Sequence, residues 1–488
     1  MRNRASDEPG RFLARSWAGL LFLLLVSSVS SIAAADTSGG GASSAGDYRL
    51  ALLPQLGEES EAGRISRTAL RRIAQIQGLP FDFAEQPGEL SQYSVAVLAE
   101  GPSNARLSPR WREALYSFVE DGGVLLVPAG VGTDLHSLLG IREVRSSRQR
   151  ERLSFSGSDP LLSYVDHPQE RTISLGNGEK EIYEKVIWSH GARITPLAEP
   201  LARFEDDSAA LVRNYYGRGI VYYLGLSFEE TVMLPQSGGD FEAQRSFVNS
   251  FEPSADVIML LIRALYEHYV PHPVYLSPIP QARPTALILT HDVDAQTSFL
   301  DSLKFASLAE EFGARATFFI NTKYFKDRKD IAYYSVPENR EAVRRLHERG
   351  HEIGSHTVSH ALSFDEAQPG SPQVSYENYT PKEHITIHGE VRVSRELLER
   401  DVPGQHTVSF RAGYLAYPRE LIAVLESAGY RYDSSFSAND VLTTFPYYAF
   451  PERKPMAEES EVIEIPLTLD DALGFLTEER KEEAARRW

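Results

Sequence analysis

Five prolines, Pro271, Pro273, Pro278, Pro280 and Pro284, fall within one short stretch of the chain. No helix or central strand runs through such a stretch, because each ring removes a backbone donor and fixes φ. The chain therefore has to fold as two regions, one ending near residue 270 and one starting near residue 285. With 488 residues in all, each side is long enough for its own core, since domains typically run ~100–200 residues. Strand-like and helix-like segments alternate on both sides. Before the prolines, apolar runs at 49–53, 95–99 and 124–128 are separated by helix-like segments at 65–77 and 109–120. Residues 210–216 and 220–228 flank Gly217-Arg218-Gly219 as a hairpin, and a helix is predicted over 256–269. After them come an apolar run at 285–290, a helix over 302–312, a strand over 316–321, a helix over 338–349, and strands at 352–355, 407–411 and 462–467. This order predicts an α/β fold class with parallel sheets on both sides, and such sheets gather functional groups at the carboxyl ends of their strands. No internal repeat at solenoid or propeller periods is present.

The N-terminus reads as an export signal. Arg2, Arg4, Arg11 and Arg15 precede an apolar run at 18–26, and Ala33-Ala34-Ala35 forms a small-residue cleavage site. Residues 1–35 are expected to be removed, which places the mature protein outside the cytoplasm, secreted or periplasmic. The apolar run is well short of the ~20 residues that span a bilayer, so no stable membrane anchor is expected. Residues 36–47, rich in Gly, Ser and Ala, read as a flexible linker. Net charge is −18, from 50 basic and 68 acidic residues, and such a field repels phosphate backbones, which argues against a nucleic-acid partner. The chain contains no cysteine. That excludes disulfides, thiolate zinc sites and a thiol nucleophile, and leaves His and carboxylate as metal ligands.

Two polar clusters stand at strand ends. The first is Asp292-Val293-Asp294, directly after the run at 285–290. An Asp pair in that place is by itself more often a turn former or helix cap. The second is residues 350–360, where His351, His356 and His360 crowd together. His356 and His360, four apart, are expected on one side of a helical turn, a separation that lets two nitrogens reach one ion. Taken together, the clusters supply two imidazoles and a carboxylate, the donor set with which catalytic divalent ions hold a water. One Asp would then bind the metal and the other take a proton, and spacing alone leaves their roles exchangeable.

Thr290-His291-Asp292-Val293-Asp294, Ala316-Thr317-Phe318-Phe319, residues 350–360, Phe410-Arg411-Ala412-Gly413-Tyr414 and Tyr432-Asp433-Ser434-Ser435-Phe436 resemble, in order, the motifs of the NodB-like polysaccharide deacetylases, carbohydrate esterase family four, in a subgroup with a D-V-D pattern. The resemblance implies a distorted (β/α) barrel and removal of N-acetyl groups from an amino-sugar polysaccharide. It also implies a divalent metal ion, zinc foremost, with Co, Ni or Mn as alternatives. Carried across, Asp292 resembles the general base, Asp294, His356 and His360 the metal ligands, and Arg411 the arginine that orients the base. Tyr414 stands where a backbone N–H steadies the oxyanion, and Asp433-Ser434-Ser435 where the groove is lined. The family's usual Pro is replaced by Gly413. Its late Leu-x-His motif, which supplies an acid for the leaving amine, is not found after Leu467, and no His follows His406. A shortened product, a different acid, or a glycan binder without turnover would each account for that. His384, His388 and His406 fall in a stretch read as a long surface loop without chemistry of its own.

Residues 48–270 resemble the glutamine-amidotransferase-like, flavodoxin-like domains found beside glycan enzymes, through segments such as Asp121-Gly122-Gly123-Val124-Leu125 and Gly217-Arg218-Gly219-Ile220-Val221. Amidotransfer on that fold requires a Cys, so this region is expected to be non-catalytic. The expected organisation is therefore a signal peptide at 1–35, a linker at 36–47, this domain at 48–270, a Pro-rich linker at 271–284 and a deacetylase domain at 285–488. Two other functions remain open: hydrolysis of a small non-glycan amide or imide, and glycan binding without catalysis.

Overall fold

The computed structural model describes residues 48–468 apart from 54–60, 100–106, 130–132, 177–186, 238–253, 284, 323–333, 335, 382–383, 453 and 457. The expected signal peptide and linker, and the tail beyond residue 468, lie outside the described residues.

The first sheet opens with parallel strands. β1 (Leu50–Leu53), β2 (Phe81–Phe83), β3 (Val95–Leu98), β4 (Val124–Pro128) and β11 (Gly219–Leu224) stand in the order β2-β1-β3-β4-β11. β1, β3 and β4 are unbroken apolar runs buried along their whole length, the pattern of strands covered on both faces. The covering helices include α1 (Glu61–Ile76), α2 (Pro109–Glu120) and α3 (Ser254–Tyr269). At the start of α2, Ser108 Oγ accepts from the Trp111 N–H and Pro109 takes the first turn, where its missing N–H costs nothing.

Beyond β11 the sheet turns antiparallel, beginning with the hairpin expected at Gly217-Arg218-Gly219. β10 (Ala209–Tyr216) returns antiparallel on β11, followed across the sheet by β9 (Glu199–Phe204), β6 (Arg152–Phe155) and β7 (Thr172–Ser174). β5 (Ile141–Ser147) and β8 (Ser189–Ile194) join at β10. The turn Gly217-Arg218 is the cause. Two residues can only reverse a strand onto its neighbour, and Gly217 takes the φ of 57° that the reversal needs.

The second sheet is formed by β12 (Leu289–Val293), β13 (Ala316–Ile320), β14 (Glu352–Ser355), β15 (Ser409–Phe410), β16 (Tyr432–Asp433) and β18 (Ile463–Glu464), all parallel, with β17 (Tyr447–Tyr448) antiparallel at the far edge. Helices α4 (Gln296–Glu311), α5 (Pro337–Glu348), α6 (Ser394–Asp401) and α7 (Leu421–Ser427) alternate with the strands. The expected barrel is not closed among the described residues: β12 and β17 are its edges. Closure requires a continuous tilted ladder, whereas β15, β16, β17 and β18 are two residues each and the last of the series runs backwards.

The prolines do not keep the two sheets apart. The core under the first sheet takes in Leu442 and Phe450 from the second region. Arg72 on α1, 1% exposed, pairs with Glu459 at 2.6 Å, donates to Gln236 Oε1 at 2.9 Å and lies 4.0 Å over the Phe450 ring. Asp256 on α3 accepts from the hydroxyls of Thr443 and Thr444 and from the Thr444 N–H. Burial pushes the Asp256 carboxyl up to about 6, against the lowering pull of those three donors. Its folded-state value lies above the ordinary one, so its contribution to stability is complete below pH ~4 and is lost as pH rises through about 6. Chemical denaturation across that window is expected to show a falling slope that Asp256→Asn flattens; equal slopes in the two proteins would contradict it. Among the described residues no helix is long and apolar enough to cross a membrane.

Candidate metal centre and active site

β12 delivers the two aspartates. Val293 between them is buried at 1%, while the side chains of Asp292 and Asp294 are 37% and 39% exposed, so the period-two alternation of the strand end turns both carboxylates to the same open side. β14, two strands away, ends at Ser355, and the chain leaves it through residues 356–360. That segment is not the helical turn expected from the four-residue spacing. Thr357 and His360 hold φ of 64° and 52°, a left-handed geometry costing roughly 1–2 kcal/mol for each side-chain-bearing residue. The cost is offset from both sides. Asn321, at the end of β13, donates to the carbonyls of His356 and Val358 at 3.2 and 3.3 Å, and the Thr322 N–H donates to the Thr357 carbonyl at 3.1 Å. From the other side, the Glu390 carboxylate accepts from the N–H groups of Val358 and Ser359.

The two imidazoles converge in this irregular loop. Their Nε2 atoms are 3.1 Å apart, and His360 Nε2 is 3.4 Å from Asp294 Oδ2. One donor atom from each of Asp294, His356 and His360 lies within 4.8 Å of the others. His356 Nδ1 sits 2.9 Å from the Arg411 carbonyl. A carbonyl only accepts, so Nδ1 carries the hydrogen and Nε2 is the ring atom turned toward His360. Burial, reinforced by His356, pushes His360 down to about 4 despite the opposing pull of Asp294 and Asp292, which leaves it a neutral ligand at neutral pH. Two imidazoles and a carboxylate with an open side fit a divalent cation.

Asp292 lies beside this triad, 3.7 Å from His356 Nε2. Arg411, 3% exposed, reaches Asp292 Oδ1 at 2.8 Å, Thr290 Oγ1 at 3.0 Å, and the hydroxyl and carbonyl of Ser434 at 2.8 and 3.0 Å, with its guanidinium 4.4 Å over the Phe319 ring. Burial pushes the Asp292 carboxyl up, but His356 and Arg411 outweigh it and hold the group below the usual carboxylate range. A carboxylate held by one guanidinium N–H next to an open cation site is placed to accept a proton from a water.

Behind the arginine, Asp433 and Glu464 are register partners on β16 and β18, both fully buried. Burial pushes Asp433 up to about 6; burial and the neighbouring Asp433 push Glu464 well up. Asp433 Oδ1 accepts from Ser435 Oγ, whose oxygen accepts the Ala412 N–H, so this motif braces the strand end bearing Arg411. The other expected residues separate. His351 Nδ1 accepts the Ala316 N–H and its Nε2 meets Glu310 at 3.2 Å, and His291 is stacked between Phe305 and Phe318, so both are packing residues. The stretch holding His384, His388 and His406 is not the long surface loop expected: from Ile387 it is helical through Gly389–Val393 into α6, Tyr379, Thr386, Ile387 and His388 are buried, and Tyr379 donates to Glu390 at 2.8 Å. Thr290, Asn321 and Glu390 were not foreseen as parts of the site, and Ser434, expected to line the groove, holds Arg411 instead. Thr290 and Ser434 fall inside recognised motifs, whereas Asn321 and Glu390 act on backbone groups and carry no spacing signal.

Gly413 has a steric reason in this chain. A Cβ there would lie 2.8 Å from His360 Cδ2 and 3.1 Å from its Cα. The adjacent Tyr414, at φ 58° and 56% exposed, sets its ring 4.3 Å from that of His360. Gly413→Ala is expected to push His360 off the triad and weaken Zn²⁺ affinity about tenfold, as disturbed support of a ligand does; unchanged affinity in a competition titration would refute this.

Residues 282–432 match the family model described as polysaccharide deacetylase. The deacetylase domain so defined holds Asp292, Asp294, His356, His360, Arg411 and Tyr414, and its family comprises hydrolases acting on carbon–nitrogen bonds other than peptide bonds. No curated protein matches the chain. Solved structures resemble it weakly. A β-galactosidase from Bacillus circulans sp. alkalophilus aligns with 46% of this chain and 31% of its own at 17% identity and a TM-score of 0.30. A ThuA-like protein from Bacteroides uniformis aligns with 47% and 94% at 11% identity and 0.30. A protein named as a polysaccharide deacetylase from Mycobacterium smegmatis aligns with 43% and 72% at 18% identity and 0.28. The chain thus spans under a third of the length of the β-galactosidase it resembles.

Proposed function

We propose that the chain is an exported, metal-dependent hydrolase that removes N-acetyl groups from an extracytoplasmic amino-sugar polysaccharide. One observation carries this reading: the triad Asp294, His356 and His360 lies beside Asp292, itself held by Arg411, inside the matched deacetylase domain.

Asp294 and the Nε2 atoms of His356 and His360 would hold the cation, zinc foremost. When bound, such an ion polarises a carbonyl and lowers the pKa of water to roughly 7. Asp292 takes a proton as the water oxygen bonds to the acetamide carbon. Arg411 keeps that carboxylate aimed and ionised. The Tyr414 backbone N–H, presented by the Gly413 turn, donates to the developing oxyanion. As the C–N bond breaks, the amine nitrogen needs a proton. Among the described residues Asp292, protonated in the first half of the reaction, is the acid beside the reacting centre, and it returns that proton to the amine nitrogen. Products are acetate and a free amine.

The second reading is a glycan binder without turnover. Acetate release from N-acetylglucosamine oligomers separates the two. The proposal predicts release that chelation abolishes and Zn²⁺ or Co²⁺ restores; no release from any glycan by metal-loaded protein would favour the binder. Export follows from the pattern of residues 1–35 and is tested by locating the processed chain. For residues 48–270, the β2-β1-β3-β4-β11 order supports a flavodoxin-like region without catalysis of its own.

A further inference from the structure

The loop bearing both imidazoles is held on one side by a charge that the proposed reaction does not use. Glu390 is fully buried, and its carboxylate accepts three hydrogen bonds: from Val358 N–H at 2.9 Å, Ser359 N–H at 2.8 Å and Tyr379 Oη at 2.8 Å. Among the described residues no Lys, Arg or His forms an ion pair with it. A buried carboxylate without a cation is costly, and a neutral acceptor would avoid that cost if acceptance were all that the site required. Two features make the charge useful here. Both backbone N–H groups meet one oxygen, Oε2, and the Tyr379 hydroxyl donates to the other, so a Gln amide would turn its N–H groups either against the two backbone donors or toward a Tyr379 hydroxyl that already accepts the Thr386 N–H at 3.3 Å. The two backbone groups also belong to the residues between His356 and His360, the part of the loop flanked by left-handed Thr357 and His360.

We infer that Glu390 is a positioning residue for the metal centre, clamping the Val358 and Ser359 amides so that His356 and His360 converge before any ion arrives. The inference rests on the reading of Asp294, His356 and His360 as a metal triad. Tyr379, by contrast, supports Glu390 without touching the loop backbone through that bond.

The test compares full-length native protein, Glu390→Gln and Tyr379→Phe by two readouts. In Co²⁺ titrations followed by visible absorption, Glu390→Gln is expected to bind about 10–100-fold more weakly with altered band intensities, as loss of a ligand's support does, while Tyr379→Phe stays within about threefold of native. In hydrogen exchange of the metal-free proteins, the Val358 and Ser359 amides are expected to exchange at least about tenfold faster in Glu390→Gln only, local opening being what that method reads. Native Co²⁺ affinity and native exchange at both amides in Glu390→Gln would overturn the inference. If native protein takes up no Co²⁺, the metal reading fails while the exchange comparison still decides the clamp. Should Glu390→Gln not fold, Glu390→Asp, charged but one methylene short, carries the same readouts with the same directions.

Discussion

Asp292→Asn is expected to lower acetate release by about 10²–10⁴-fold, the range that a positioned general base contributes, and to leave metal stoichiometry unchanged. The two halves of that statement come from different contacts. Asp292 is the carboxylate on Arg411, whereas Asp294 is the one on His360. The amide keeps an oxygen for the guanidinium to grip but cannot accept the proton. Metal content and initial rates on N-acetylglucosamine oligomers, measured on the same preparation, check it. Full activity in the Asn variant would exchange the roles of Asp292 and Asp294; loss of metal would make Asp292 a ligand.

Arg411→Met is expected to cost about 10²-fold in kcat/KM, the scale of a misplaced catalytic group, and to move the acid limb of the pH–rate profile upward. The sign follows from the charges around the base. Arg411 and His356 hold Asp292 below its usual range against the raising effect of burial. Removing the guanidinium leaves burial less opposed, so the carboxyl stays protonated to a higher pH and the rate rises later. Arg411→Lys is not expected to rescue the enzyme, because one ammonium cannot serve Asp292, Thr290 and both oxygens of Ser434 in the fork geometry. A profile with an unmoved acid limb would detach Arg411 from the base.

The parts of this molecule legible from residues alone are those written as local periodicity or as spaced motifs. The buried runs of β1, β3, β4 and β13 and the reversal at Gly217 needed only neighbours in sequence. Asp292, Asp294, His356, His360 and Arg411 stood out because recognised motifs name them, and the structure brings them to one side of the second sheet. What was misjudged depends on distant partners. The four-residue histidine spacing suggested a helical turn, but Asn321 and Glu390 supply the bonds that hold the segment left-handed instead. Glu390 lies in the stretch read as a long surface loop, where nothing in its neighbours singles it out. The prolines suggested two separate regions, yet Arg72 and Asp256 bind residues beyond them through pairings of high sequence separation. The open second sheet follows from strands too short for periodicity to measure.

Titrating metal-depleted protein with Zn²⁺ by calorimetry, beside His356→Ala, tests the convergence of Asp294, His356 and His360 on one ion most directly. One site per chain in the native protein, lost or weakened at least about tenfold when the imidazole is removed, is the predicted result. Absence of saturable binding in the native chain, or equal affinity in the variant, would contradict it.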